Sequence, residues 1–299
     1  MDIQKTNINW YPGHMKKTMD MFKEQLKQVD LIIEILDARI PLSSKNPEVE
    51  KLVKHKKRII ILNKMDLVDK NDFFKWEEYF LANNLADKII PMSVEKGFNI
   101  KELRTEIDTM YKEKLEKKKK RGLIKTEIRA MVVGIPNVGK SKFINKISST
   151  SKAGVGNLPG FTRGKQWITV NNKFYLLDTP GVLWPKFDSH ETALNLAITG
   201  SIKDDILSLE QVCISLVKKM KEYNIINNIL KAYNIENLEN IENADDYELL
   251  KAIEKRLLIH NTKEHDYEII SQKILRDYRT GKLGKFFLEL PKSPKKEGK

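Results

Sequence analysis

Gly134-Ile135-Pro136-Asn137-Val138-Gly139-Lys140-Ser141 decides how the rest of the chain is read. It follows the apolar run Ile128 to Val133 and leads into Phe143-Ile144-Asn145-Lys146-Ile147, so it reads as strand, glycine-bearing loop and helix. In that setting a G-x-x-x-x-G-K-[ST] string is a phosphate-binding loop. Its backbone N–H groups turn inward and the following helix N-terminus adds partial positive charge, making a cradle for a di- or triphosphate. The expected cradle residues are Asn137, Val138, Gly139, Lys140, Ser141 and Lys142. Lys140 would reach the terminal phosphates, and Ser141 would offer its hydroxyl to Mg²⁺.

The 299 residues suffice for about two domains with a sizeable core. A formal charge of +13 favours a polyanionic partner, nucleic acid ahead of an anionic membrane surface. A solvated basic face would give the same count. No stretch approaches the roughly 20 uninterrupted apolar residues of a membrane span. The start, Met1-Asp2-Ile3-Gln4-Lys5, lacks the apolar core of a signal segment, so a cytoplasmic protein with no membrane partner is expected. Cys213 is the only cysteine, which excludes an intramolecular disulfide, and Val212-Cys213-Ile214 suits a buried apolar role.

Met15, Met19, Phe22, Leu26 and Val29 fall at helical spacing. Leu31 to Leu36, Ile59 to Leu62 and Ile89-Ile90 read as strands, with the aromatic helix of Phe73, Trp76, Tyr79 and Phe80 between the last two. Alternating strand and helix predicts a mostly parallel sheet covered on both faces. Lys112 to Arg121 reads as either a solvated helix end or a polyanion contact. Gln166 to Val170 and Phe174 to Leu177 read as a hairpin leading into Asp178-Thr179-Pro180-Gly181. Beyond about residue 200 only helices are expected, over Leu207 to Tyr223, Asp246 to Ile259 and Asp266 to Thr280. The expected domains are 1–200, a helical 201–285 and a basic tail over 286–299.

An aspartate at Asp178 can hold Mg²⁺, and the Gly181 N–H can sense a γ-phosphate. Asn63-Lys64-Met65-Asp66 follows a strand, where a carboxylate accepts from both N1–H and the amino group of guanine. Adenine offers an acceptor at N1 and would leave Asp66 unsatisfied, at a cost of about 1–3 kcal/mol, more for a charge. Asn63 can tie this loop to the phosphate loop, the stem of Lys64 can cover the base, and Ser93 and Val94 of Ser93-Val94-Glu95-Lys96 can buttress it. The expected ligands are therefore GTP and GDP, with Mg²⁺ held by Ser141, Thr162 and Asp178.

Guanine-reading elements here precede the phosphate loop, whereas ordinary small GTPases run the other way. In that order the chain resembles a circularly permuted GTPase, and more closely the ribosome biogenesis GTPase A family. The likeness includes Trp10-Tyr11-Pro12-Gly13-His14-Met15, Asp37-Ala38-Arg39-Ile40-Pro41, Gly160-Phe161-Thr162 and Asp277-Tyr278-Arg279-Thr280-Gly281-Lys282-Leu283-Gly284. It implies a parallel-sheet P-loop GTPase domain followed by an all-helical domain that helps grip rRNA. It also implies GTP hydrolysis stimulated by the large ribosomal subunit precursor during late assembly. A monomer is expected.

Many GTPases place a glutamine directly after D-x-x-G to orient water. Val182 stands there, and its apolar side chain cannot orient water by hydrogen bonding. The resemblance points instead to His14, with Lys140, Thr162 and Gly181 completing the expected catalytic set; a structural role for His14 in its turn stays open. Asn137 resembles the ion ligand of potassium-activated GTPases, which suggests K⁺, and plain turn chemistry stays open beside it. The C-terminal likeness is less complete, because Leu258-Ile259-His260-Asn261-Thr262-Lys263 replaces a glycine-containing turn. Alternative readings are a nucleotide-gated rRNA-binding module, or a permuted GTPase of the small subunit or of a mitochondrial ribosome.

Overall fold

Leu31-Ile32-Ile33-Glu34-Ile35-Leu36-Asp37 is almost continuously apolar, the pattern of a strand covered on both faces. In the computed structural model it forms β1 (Leu31–Asp37) and is buried along its whole length. The structure describes residues 13–119, 127–149, 167–171, 174–184, 187, 189–204, 208–235, 245–257 and 267–291.

Strand β1 pairs in parallel with β2 (Lys57–Asn63) on one side and β4 (Ile128–Val133) on the other. Parallel pairing continues from β2 to β3 (Lys88–Pro91) and from β4 to β6 (Phe174–Asp178), while β5 (Trp167–Asn171) pairs antiparallel with β6. The order β3-β2-β1-β4-β6-β5 moves outward through three strands and then restarts on the other side of β1. In open α/β sheets ligands lie outside the carboxyl ends of the strands where the order reverses. Here that crevice lies between the ends of β1 and β4, and Asp37, Asn63, Val133 and Asp178 all end parallel strands on that side.

Helices α1 (Gly13–Leu26), α2 (Pro47–Val53), α3 (Phe73–Ala82), α4 (Ile100–Lys119) and α5 (Lys140–Ser149) complete this unit. Phe22, Val49 and Val53 join Ile32, Met131, Val133, Trp167 and Leu177 in one buried cluster. Truncating such a side chain to alanine costs about 2–5 kcal/mol. Trp76 and Phe80 of α3 are buried, as the aromatic spacing leads one to expect, whereas Phe74 is exposed. Lys112 to Lys119 form the last turns of α4; Lys120 and Arg121 lie outside the described residues.

The chain divides into two compact units, 1–187 with 289–299, and 188–288. The sequence reading put the first division at residue 200, which leaves α6 (His190–Ile198) on the wrong side of the observed one. Helix α6 buries Ala193, Leu196, Ala197 and Ile198, and packs on α7 (Leu209–Glu222) in the second unit. Neither α6 nor the seven-residue α8 (Asn227–Tyr233) was expected as a helix, because α6 buries five of its last six residues and α8 is too short to show a period. Helices α9 (Asp246–Leu257) and α10 (Tyr267–Arg279) complete the second unit, with Cys213 and Met220 of α7 buried along with Ile270, Ile274 and Tyr278 of α10.

The Asp277–Gly284 string finds its partners inside this unit. Asp277 accepts from the Tyr233 hydroxyl at 2.8 Å and from Lys273 and Lys282. Arg279 donates to the Ala197 and Ile198 carbonyls, closing the C-terminus of α6. Gly281, at φ 82°, ends α10 in the left-handed region that favours glycine. In the first unit, the carboxylate of Glu289 accepts from the Leu42 and Ser43 backbone N–H groups at 2.8 and 3.0 Å. That bond joins two ends of the sequence and has no local signature.

Candidate functional site

The loop between β4 and α5 carries the phosphate-binding string, and its glycines are demanded by neighbours as well as by backbone angles. Gly139 sits at φ 106°, and a Cβ there would run into the side-chain amide of Asn63. A Cβ on Gly181 would stand 2.8 Å from Lys140 Nζ and 2.9 Å from Pro136 N. The end of the Asp178–Gly181 segment therefore abuts the phosphate loop.

Lys140 is buried, and its ammonium donates to the carbonyls of Gly134 and Ile135 at 3.0 and 2.8 Å. Burial pushes it down to about 8, opposed by the negative charge of Asp178. Burial in turn raises the half-buried Asp178 carboxyl, with Lys140 and the Thr179 N–H opposing. A polyphosphate beside the ammonium would add to the negative charge of Asp178 and favour the protonated lysine. Thr179 Oγ1 donates to Val132 O at 2.6 Å, fastening the Asp178–Gly181 segment to β4. Ser141 is exposed in the first turn of α5, and Asn137 takes a left-handed φ of 58° on the loop surface.

The loop expected to read guanine follows β2. Asn63 Nδ2 donates to Val138 O of the phosphate loop at 2.8 Å, while its Oδ1 accepts from Val94 N at 3.1 Å. One buried amide thus holds together the phosphate loop, the end of β2 and the Ser93–Lys96 segment. Met65 N donates to Met92 O, bracing the loop after β2 against the segment after β3, and within that second segment Ser93 Oγ accepts from Lys96 N. Asp66 is half-buried, close enough to Glu95 for its charge to be felt there. Lys142 pairs with Glu95 across the exposed rim, a contact of little energetic weight.

Val182 is buried, and its carbonyl accepts from Asn46 Nδ2 at 2.9 Å. Asn46 Oδ1 at the same time caps α2 by accepting from Glu48 and Val49 N–H groups. Thr162 lies outside the described residues; His14 is in the first turn of α1, with its side chain outside the described ones. Sequence reasoning gave no role to Asp37, Arg39, Asn46 or Glu289. The first two stood in a quoted string, but no spacing rule says what they touch.

A family model described as "50S ribosome-binding GTPase" matches residues 129–244. The chain is 39% identical over 285 residues to "Ribosome biogenesis GTPase A" of Bacillus cereus, covering 95% of this chain and 94% of that one. It is 31% identical over 295 residues to "Mitochondrial ribosome-associated GTPase 1" of Mus musculus, covering 94% and 89%. A crystal structure of GNP-bound YlqF from T. maritima aligns with a TM-score of 0.60 at 24% identity, covering 93% of this chain and all of that one, a likeness of fold.

Proposed function

The chain belongs to the ribosome biogenesis GTPase A family, and from that premise we propose that it hydrolyses GTP while bound to a precursor of the large (50S) ribosomal subunit, promoting its late maturation. The observation that carries the nucleotide half of this reading is the Asn63 amide, which joins the loop that reads guanine to the loop that cradles phosphate. The net charge of +13 supports the rRNA half, because phosphate contacts dominate RNA affinity. None of the described helices is long and apolar enough to cross a membrane. The proposal takes the protein to act as a monomer in the cytoplasm.

In this mechanism Asp66 accepts from the guanine edge, Lys140 neutralises the terminal phosphates, and Gly181 N–H and Thr162 contact the γ-phosphate. An exposed hydroxyl at Ser141 and a half-buried carboxylate at Asp178 are hard oxygen donors, a set that suits Mg²⁺ completing its shell with phosphate oxygens and water. When bound, Mg²⁺ neutralises charge developing on the transferred phosphoryl group. Val182 is apolar and buried, so orientation of the attacking water falls to another group, for which we assign His14. Asn137 is assigned as a K⁺ ligand.

Cosedimentation with large-subunit precursors tests the proposal: retention with a nonhydrolysable GTP analogue and release with GDP are expected. Equal absence from large-subunit precursors in both nucleotide states would overturn it.

A further inference from the structure

Asp37 ends β1 directly beside Asn63, its register partner on β2. Its carboxylate is fully buried and carries two cations. Arg39 engages it through Nε at 2.9 Å and Nη2 at 2.7 Å, and the Arg39 backbone N–H donates to it as well. The second cation is Lys64, whose Nζ stands 2.8 Å from Asp37 Oδ2. Lys64 holds a left-handed backbone (φ 66°) between Asn63 and Met65, and its side chain is 23% exposed. A lysine of this kind carries about 2 kcal/mol of rotamer entropy and would otherwise sample solvent.

Burial alone would push the Asp37 carboxyl up, but the charges of Arg39 and Lys64 outweigh it and hold the group well below the usual carboxylate range. Arg39 thus keeps Asp37 ionised in a dry place, and Asp37 spends that charge on Lys64. Because β1 lies between β2 and β4, the anchor sits between the base-reading end and the phosphate end of the crevice.

We infer that Asp37 is a positioning residue for guanine-nucleotide binding, tethering the Lys64 ammonium so that its methylene stem stays extended as one wall of the base slot. This rests on the nucleotide-site reading of Asn63 to Asp66.

The test is titration of the full chain with fluorescent GDP and with the inosine diphosphate analogue, which lacks the amino group that Asp66 reads. Asp37→Asn and Lys64→Met are each expected to weaken both ligands roughly tenfold, the scale of one charge-assisted hydrogen bond. The double variant is expected to be no worse than either single one, because both break the same contact. A merely structural Asp37 would give losses that multiply, and that result overturns the inference, as does wild-type affinity in Lys64→Met. If Asp37→Asn does not fold, Asp37→Asn with Arg39→Met removes the buried charge pair together, and wild-type affinity in that variant also overturns it. Asp66→Ala serves as the separate control. If it still prefers GDP over the inosine analogue, the site reading itself fails; if it loses that preference while Lys64→Met binds normally, only the tether fails.

Discussion

Asn63 Nδ2 and Val138 O lie 2.8 Å apart although 75 positions separate them in the chain, and this bond makes one site of two loops that follow different strands. Asn63→Ala strips a partner from two buried backbone groups, Val138 O and Val94 N. Each unsatisfied group costs about 1–3 kcal/mol. Thermal unfolding without nucleotide is expected several degrees lower, and GDP affinity is expected to fall by at least tenfold on the same energetic scale. Calorimetry and fluorescent-nucleotide titration measure the two losses.

Lys140 predicts proton uptake on nucleotide binding. Its folded value of about 8 lies below the ordinary 10.5, so above pH 8 the free site increasingly lacks the ammonium that phosphate needs. Affinity is therefore expected to fall as pH rises through 8. Stability runs the other way for this group: its penalty on folding is full below pH 8 and lifts between 8 and 10.5. Titration calorimetry at pH 8.5 in two buffers of different ionisation heat should show protons taken up in the wild type. Lys140→Arg, which stays charged, should remove the uptake.

Gly181→Ala places a methyl against Lys140 Nζ and the Pro136 backbone. Something must shift by a few tenths of an ångström or more, and small misplacements at a reacting centre are costly. GTP turnover is expected to drop by up to about 10²-fold, with the unfolding midpoint little changed. Single-turnover hydrolysis beside a melting curve checks this.

The apolar side chain of Val182 cannot hold water by a hydrogen bond, and its carbonyl accepts from Asn46. With His14 in the water-orienting role, His14→Ala should lower ribosome-stimulated turnover by about 10²-fold or more and leave GDP affinity near the wild-type value. Unchanged stimulated turnover would return His14 to a structural part.

Asn137 stands exposed on the phosphate loop at φ 58°. As a K⁺ ligand it should make hydrolysis faster in KCl than in NaCl at equal ionic strength, and Asn137→Ala should erase the difference. Equal rates in the wild type would leave Asn137 as a turn residue chosen for its backbone.

Much of the fold was legible because it depends on local pattern. Leu31 to Leu36 is too apolar to be anything but a strand covered on both faces, and the hairpin around Asn171 shows in its flanking runs. What escaped was short or atypical. Helix α8 spans only seven residues, and α6 buries nearly its whole second half, so neither shows one apolar stripe. The unit boundary followed α6, since a helix belongs with what it buries against.

The sequence by itself determined the strand, glycine loop and helix that carry the phosphate-binding string, and the permuted order of the mostly parallel sheet. A strand, a glycine-bearing loop and the helix after it are built from contiguous residues and can be read where they stand. Only the tertiary structure decided that Asp37 holds Lys64, that Asn46 holds the Val182 carbonyl and that Glu289 holds Leu42 and Ser43. Each is a polar contact that leaves no period in the chain. Where strand order or chain return brings its partners together, a buried polar group has to be satisfied.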